Sequence, residues 1–234
     1  VNYNYLANFL TTLSLVSGFV SIIFSLESHF TFASWAIIFS VIFDGLDGQV
    51  ARKNPVPSEF GKEFDSLIDV ISFGIAPSIL GYVFVYHNFY SWIAASTLFL
   101  YLFCSVIRLA KYNITVKDEF ANYFNGLPTT VSGGILSSFI LIYRRYTQSP
   151  PPFLFLVLVL ILAVLMVSKA KYLNLDGLKQ RFEKSKILIL FTISTIIIVP
   201  IIFWWVTSFF LPEIALFVLF MIYLFSPFFL KEPV

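Results

Sequence analysis

Apolar runs of about twenty residues, long enough to cross a hydrocarbon layer, recur along this chain from one end to the other. Such runs leave few folds open, because in lipid the backbone must satisfy its own hydrogen bonds and helices do so within one segment. Hydrophobic residues make up 59% of the 234 and charged residues only 12%, against about 25% charged in soluble domains. The chain is therefore expected to be an all-α, polytopic membrane helix bundle. The pattern predicts eight spans: Phe9 to Leu26, Phe30 to Ala51, Glu63 to Val85, Ser91 to Leu109, Pro128 to Tyr146, Pro152 to Ser168, Ile187 to Trp205 and Phe209 to Leu230. The polar connection Lys169 to Lys186 divides six spans from two. Residues 1–172 are read as a six-helix catalytic core, and 173–234 as a connection and an appended transmembrane hairpin. From Ile187 to Leu230 that hairpin holds one acid, Glu213, and no base, which sets it outside the chemistry.

An even number of spans puts both termini on one side, and the basic residues say which. In this arrangement all of the 15 Lys and Arg residues except Arg144 and Arg145 fall on the side of the termini, so that face is expected to be cytoplasmic. A net charge of +2 gives no reason to expect a nucleic-acid partner, and the basic residues are better read as topology signals and contacts to anionic lipid. The single Cys104 has no intramolecular disulfide partner and reads as helix packing. No short apolar stretch precedes a small-residue cleavage site, so the first span is expected to be retained.

Four acids stand out against this background: Asp44, Asp47, Asp65 and Asp69, at the ends of the second and third spans that share the basic face. Ionised carboxylates this close to hydrocarbon are costly unless compensated, which makes the cluster a functional-site candidate. Spacings of three and four put each pair on one face of its helix. The segment between them, broken by Pro55 and Pro57, returns the chain antiparallel so that the two faces meet. Arg52 and Lys62 are too few to balance four carboxylates, whereas two divalent cations would. The ligands are all oxygen, so hard ions are expected: Mg²⁺ first, with Mn²⁺ or Ca²⁺ as alternatives. Two such ions suit in-line displacement at phosphorus. Gly48, Ala51 and Gly61 lie beside the carboxylates and leave room for a flat group to approach backbone, although small residues at such spacing also serve helix packing. An ion or proton path is the rival reading of the acids, and it lacks a mid-membrane acid in any other span to continue the route.

The pattern Asp44-x2-Asp47-Gly48-x2-Ala51-Arg52-x8-Gly61-x3-Asp65-x3-Asp69 resembles the motif of the CDP-alcohol phosphotransferases, integral membrane enzymes of phospholipid synthesis, at all eight positions. The resemblance implies transfer of the phosphatidyl group of a CDP-linked lipid to an alcohol, with release of CMP. It also implies that Asp44, Asp47 and Asp65 hold two metal ions on the diphosphate, with Asp69 at the metal site and serving as general base. The cytidine is placed near Gly48, Ala51 and Gly61, with Asn8 and Thr11 as further nucleotide contacts and Arg52 and Lys62 beside the CDP-lipid. Homodimers are common in that family, so a homodimer is expected.

Within the family, Asn8 to Thr11, DSLIDVISFGIAP from Asp65, RLAKYN from Arg108, NGLPTT from Asn125 and LMVSKAKY from Leu165 resemble the phosphatidylserine synthase branch. That resemblance implies L-serine as acceptor. Serine brings a carboxylate and an ammonium, and Arg108 is suited to hold the carboxylate bidentately, with Asn113 as a hydrogen-bonding neighbour. The alternative for Arg108 is a snorkelling interfacial residue. Lys111 is a candidate for the donor phosphate or for lipid headgroups. Ser72, one turn beyond Asp69, either faces the acceptor or satisfies a helix carbonyl. Transfer to glycerol 3-phosphate or inositol phosphate is the alternative within the enzyme class and would need several basic residues beside the aspartates. An ion-coupled transporter or a scaffold, without CMP release, is the alternative outside it.

Overall fold

The computed structural model describes residues 3–53, 58–86, 91–115, 123–146, 152–173 and 211–229. Seven helices run through them: α1 Tyr3–Leu26, α2 Phe30–Ala51, α3 Glu59–Tyr86, α4 Ser91–Thr115, α5 Thr129–Tyr146, α6 Pro152–Val167 and α7 Leu211–Phe229. The helices α1 to α4 are long and apolar enough to cross a membrane, and α6 and α7 carry shorter apolar stretches. Six helices at the expected places and a seventh near the C-terminal end accord with a helical membrane protein. The predicted span 187–205 lies outside the described residues.

Helix ends differ from the apolar runs in a consistent way. Helix α1 begins at Tyr3 rather than Phe9, α3 at Glu59 rather than Glu63, and α4 continues past Leu109 to Thr115. Hydropathy marks only the part of a helix that sits in hydrocarbon, whereas backbone hydrogen bonding carries the helix on into the polar interface. At the start of α3 the side chain of Ser58 caps the helix, accepting from the Gly61 N–H at 3.2 Å.

The core lies where α3 to α6 meet, around Phe73, Leu80, Tyr101, Ile135, Leu136, Phe155 and Leu162, all fully buried. Large apolar side chains on the outside, among them Phe19, Phe32, Phe99, Phe103 and Val164, are exposed to the surroundings, as a lipid-facing surface requires. Helix α1 pairs with α2 through small residues: Ser14 Oγ lies 2.7 Å from Ser40 Oγ. Helix α7 packs on α5, where the Phe220 ring covers Gly134 so closely that any side chain there would collide with it. At the other end of this pair Arg145 donates to both carboxylate oxygens of Glu213, at 3.1 and 3.3 Å.

Two features were not expected. A two-stranded antiparallel ribbon joins β1 Tyr123–Asn125 to β2 Lys171–Leu173, with Phe124 opposite Tyr172. It seats the turn before α5 against the end of α6: Gly126 N–H donates to the Ala170 carbonyl at 2.8 Å and Leu127 N–H to the Leu165 carbonyl at 3.0 Å. Gly126 takes φ +80° and its Cα faces the Met166 carbonyl, a place where only glycine fits. Within α3, residues Val70–Ile75 form a π-helical turn directly after Asp69. Two turns on, Pro77 has no N–H to give to the Phe73 carbonyl, and the Tyr101 hydroxyl donates to that carbonyl at 3.0 Å.

Candidate active site

The last turns of α2 lie beside the first turns of α3. Asp44, Asp47 and Asp65 each offer a carboxylate oxygen, and these three atoms lie within 4.8 Å of one another. Asp69 completes the group, its carboxyl within hydrogen-bonding reach of that of Asp44. Two carboxylates at that range repel unless a proton or a cation lies between them. Asp47 and Asp69 are 4% and 9% exposed, and Asp47 Oδ2, Asp65 Oδ1 and Asp69 Oδ1 are buried with no hydrogen-bond partner. Buried carboxylate oxygens without donors are costly. Oxygen-only ligands with orphaned lone pairs fit hard divalent cations, so the residues present suit the metal that the sequence suggests.

The residues expected around the nucleotide gather on one side of this cluster. Thr11 of α1 is buried, its hydroxyl donating to the Ala7 carbonyl at 2.9 Å and lying within reach of the Asp47 carboxyl. Asn8, one turn earlier, meets α3 where a Cβ on Gly61 would lie 3.2 Å from Asn8 Oδ1, so glycine there sets how closely α1 and α3 approach. A Cβ on Gly48 would meet nothing within 4 Å, which leaves open space directly beside Asp47. Ala51, Arg52 and Lys62 are exposed at the rim, and Lys62 Nζ is 3.5 Å from the Asn113 carbonyl.

On the other side stands Arg108, only 9% exposed. Its Nη1 donates to Thr129 Oγ1 at 3.1 Å, its guanidinium carbon lies 5.7 Å from the centre of the Tyr112 ring, and its Nε is buried without a partner. Asp69 and Asp44 are the carboxylates within its electrostatic range. Such burial differs from a snorkelling side chain, whose charged head stays in water.

Two expected acceptor residues are otherwise engaged. Asn113 joins α4 to α3, its Nδ2 donating to Ser66 Oγ at 3.0 Å. Ser72 does not face the aspartates: it is fully buried against Gly18 of α1 and donates to the Ser14 carbonyl at 3.2 Å. The π-helical turn underwinds the chain after Asp69, so a residue three positions on no longer shares its face. Lys111 is exposed at the rim.

Sequence reasoning passed over Thr129, Tyr112 and Tyr223. Thr129 stands inside the quoted NGLPTT stretch, but a hydroxyl residue carries no spacing signal that would pair it with Arg108. Tyr223 of α7 stacks on Tyr172 with ring centres 5.6 Å apart and is within electrostatic range of Arg108, so the last helix reaches the edge of this site.

Comparison with known proteins places the chain in a family. The family model for CDP-alcohol phosphatidyltransferase matches residues 4–170, a stretch that holds all four aspartates and Arg108. A CDP-diacylglycerol–serine O-phosphatidyltransferase of Helicobacter pylori is 36% identical over 196 residues, covering 83% of this chain and 82% of the relative. An archaetidylserine synthase of Methanothermobacter thermautotrophicus is 35% identical, with 74% and 71% covered. A CDP-diacylglycerol–serine O-phosphatidyltransferase of Methanocaldococcus jannaschii is 33% identical, with 71% and 73% covered. With its carboxylate cluster inside the matched region, the chain belongs to the CDP-alcohol phosphatidyltransferase family and is a phosphatidylserine-synthase-like transferase of phospholipid biosynthesis.

Proposed function

We propose that this enzyme transfers the phosphatidyl group of a CDP-lipid to the hydroxyl of L-serine, giving phosphatidylserine and CMP, at the cytoplasmic face of the membrane. The observation that carries this reading is a buried cation, Arg108, the one such cation among the described residues, within electrostatic range of Asp44 and Asp69 of the carboxylate cluster. Asp44, Asp47 and Asp65, with Asp69, would hold the divalent cations, Mg²⁺ or Mn²⁺. Bound there, such ions supply charge neutralisation for the diphosphate and the departing CMP.

The chain's own residues account for the rest. The open space at Gly48 admits a flat base beside backbone, and the close approach of α1 at Gly61 brings Asn8 and Thr11 to the same side of the cluster. Arg108 receives the serine carboxylate and brings the hydroxyl toward Asp69. Asp69 takes the hydroxyl proton as the serine oxygen attacks the lipid-bearing phosphorus, and the bond to the CMP oxygen breaks in line. A phosphate-bearing acceptor would need several converging cations. Among the described residues, Arg108 is the buried one beside the aspartates, whereas Arg52, Lys62 and Lys111 lie at the exposed rim, which favours an acceptor with one carboxylate.

The test is CMP release by the purified protein from diacyl and ether-linked CDP-lipids, with Mg²⁺ or Mn²⁺ and a panel of alcohols. Serine is expected to support turnover, and chelation with EDTA to stop it until metal is restored. Preference for glycerol 3-phosphate or inositol phosphate would overturn the acceptor assignment. Turnover undiminished in EDTA would overturn the metal.

A further inference from the structure

Arg108 lies within electrostatic range of Asp44 and Asp69, and its direct hydrogen bond goes elsewhere. Its Nη1 reaches Thr129 Oγ1, 3.1 Å away in the first residue of α5, and Thr129 is fully buried. The Thr129 carbonyl lies 2.8 Å from Ser132 Oγ, Ser132 Oγ lies 3.0 Å from the Tyr101 hydroxyl, and that hydroxyl lies 3.0 Å from the Phe73 carbonyl. With the Tyr101 proton on the Phe73 carbonyl, the one Ser132 proton goes either to the Tyr101 oxygen or to the Thr129 carbonyl, and Ser132 sits on the first turn of α5 with Thr129 in both cases. Ser132 and Tyr101 are both fully buried, and in a dry interior such groups are oriented by one another. The chain thus runs from the guanidinium, through α5 and α4, to the π-helical turn that immediately follows Asp69.

From this we infer that Thr129, backed by Ser132 and Tyr101, is a positioning residue that fixes the Arg108 guanidinium relative to Asp69 and thereby sets acceptor recognition. The inference rests on the reading that Arg108 meets the acceptor carboxylate. A guanidinium that is buried with an unpartnered Nε swings when the Thr129 hydroxyl that accepts from it is lost, and a planar fork that has swung no longer meets a carboxylate squarely. Tyr101 secures the opposite end: it holds the carbonyl that Pro77 leaves without its usual helix donor, and so ties the acid's helix to the arginine's anchor.

The experiment uses the full chain in detergent or liposomes, with CMP release followed while serine and CDP-lipid are varied separately. Thr129→Val keeps the shape and removes the hydroxyl. It is expected to raise the serine KM about tenfold, the size of a lost hydrogen bond to a charged group, and to leave the donor KM within about twofold. Thr129→Ser, which restores the hydroxyl, is expected to return the serine KM close to its starting value. Tyr101→Phe combined with Thr129→Val is expected to do little more than the worse single change, because links of one chain do not add. An unchanged serine KM in Thr129→Val, equal rises in both KM values, failure of Thr129→Ser to rescue, or full additivity with Tyr101→Phe each overturns the inference. Should Thr129→Val fold poorly, Thr129→Ser and Tyr101→Phe still decide: near-normal kinetics in the first with an altered serine KM in the second supports the chain, and any other pairing rejects it. Arg108→Lys separates the two levels. If it leaves the serine KM unchanged the acceptor reading itself fails, whereas a serine defect there without one in Thr129→Val removes only the positioning role.

Discussion

At the scale of single residues, the proposed division of labour makes Asp69 and Arg108 separable. Asp69→Asn keeps the volume and loses the base, so transfer is expected to fall by about 10²-fold or more, while Asp44, Asp47 and Asp65 still bind much of the CDP-lipid. Undiminished turnover alongside normal CDP-lipid binding would reject the base assignment. Arg108→Ala is expected to raise the serine KM by roughly tenfold to a hundredfold, as for hydrogen bonds to a charged group, with a far smaller effect on the donor KM. Equal effects on both would make Arg108 a general structural cation. Gly48 tests the nucleotide side, because a side chain there would enter the open space beside Asp47. Gly48→Val is expected to raise the donor KM about tenfold, within the usual range for overfilling a site, and to leave serine's unchanged.

At the scale of elements, the turn into α5 offers a measurement independent of catalysis. Gly126 sits at positive φ facing the Met166 carbonyl, so Gly126→Ala carries the left-handed penalty of about 1–2 kcal/mol plus that collision. Thermal unfolding in detergent should shift down; an unchanged midpoint would mean that the turn relaxes freely. This element also shows where legibility ended. The aspartates were legible because acids at intervals of three and four in an apolar chain have no ordinary explanation. The helices were legible because hydrocarbon thickness sets their length. A three-residue strand has too few residues for any alternation to show, so the ribbon joining Tyr123–Asn125 to Lys171–Leu173 left no pattern. For Ser72 the spacing left two readings open, the acceptor site or a helix carbonyl, and the hydroxyl donates to the Ser14 carbonyl of α1; equal spacing means a shared face only in a regular α-helix, and the turn Val70–Ile75 is not one. Thr129 was passed over because its pairing with Arg108, 21 positions away, is made by the bundle and not by any local repeat.

At the scale of the whole molecule, the arrangement of charge implies an orientation that can be measured. The aspartate cluster, Lys53 and Lys62 lie at one end of the bundle, and Arg144 and Arg145 at the other, where Arg144 stacks on the Phe30 ring at 5.2 Å. Positive residues mark the cytoplasmic side, and the span pattern of the sequence puts all but two of the chain's basic residues at the aspartate end. The serine reading needs that same end to be cytoplasmic, because a water-soluble acceptor and released CMP must exchange with the compartment it faces. The partly buried Cys104 is the chain's one cysteine, so a Cys104→Ala background permits single labels. In that background Lys53→Cys and Arg144→Cys, both at exposed positions, are expected to react with a membrane-impermeant maleimide from opposite sides. Lys53→Cys should label only where the cytoplasmic face is open, as in inverted vesicles, and Arg144→Cys only in sealed right-side-out ones. Labelling of both from one side would break the antiparallel bundle, and a reversed pair would place the aspartates outside and remove the cytoplasmic assignment.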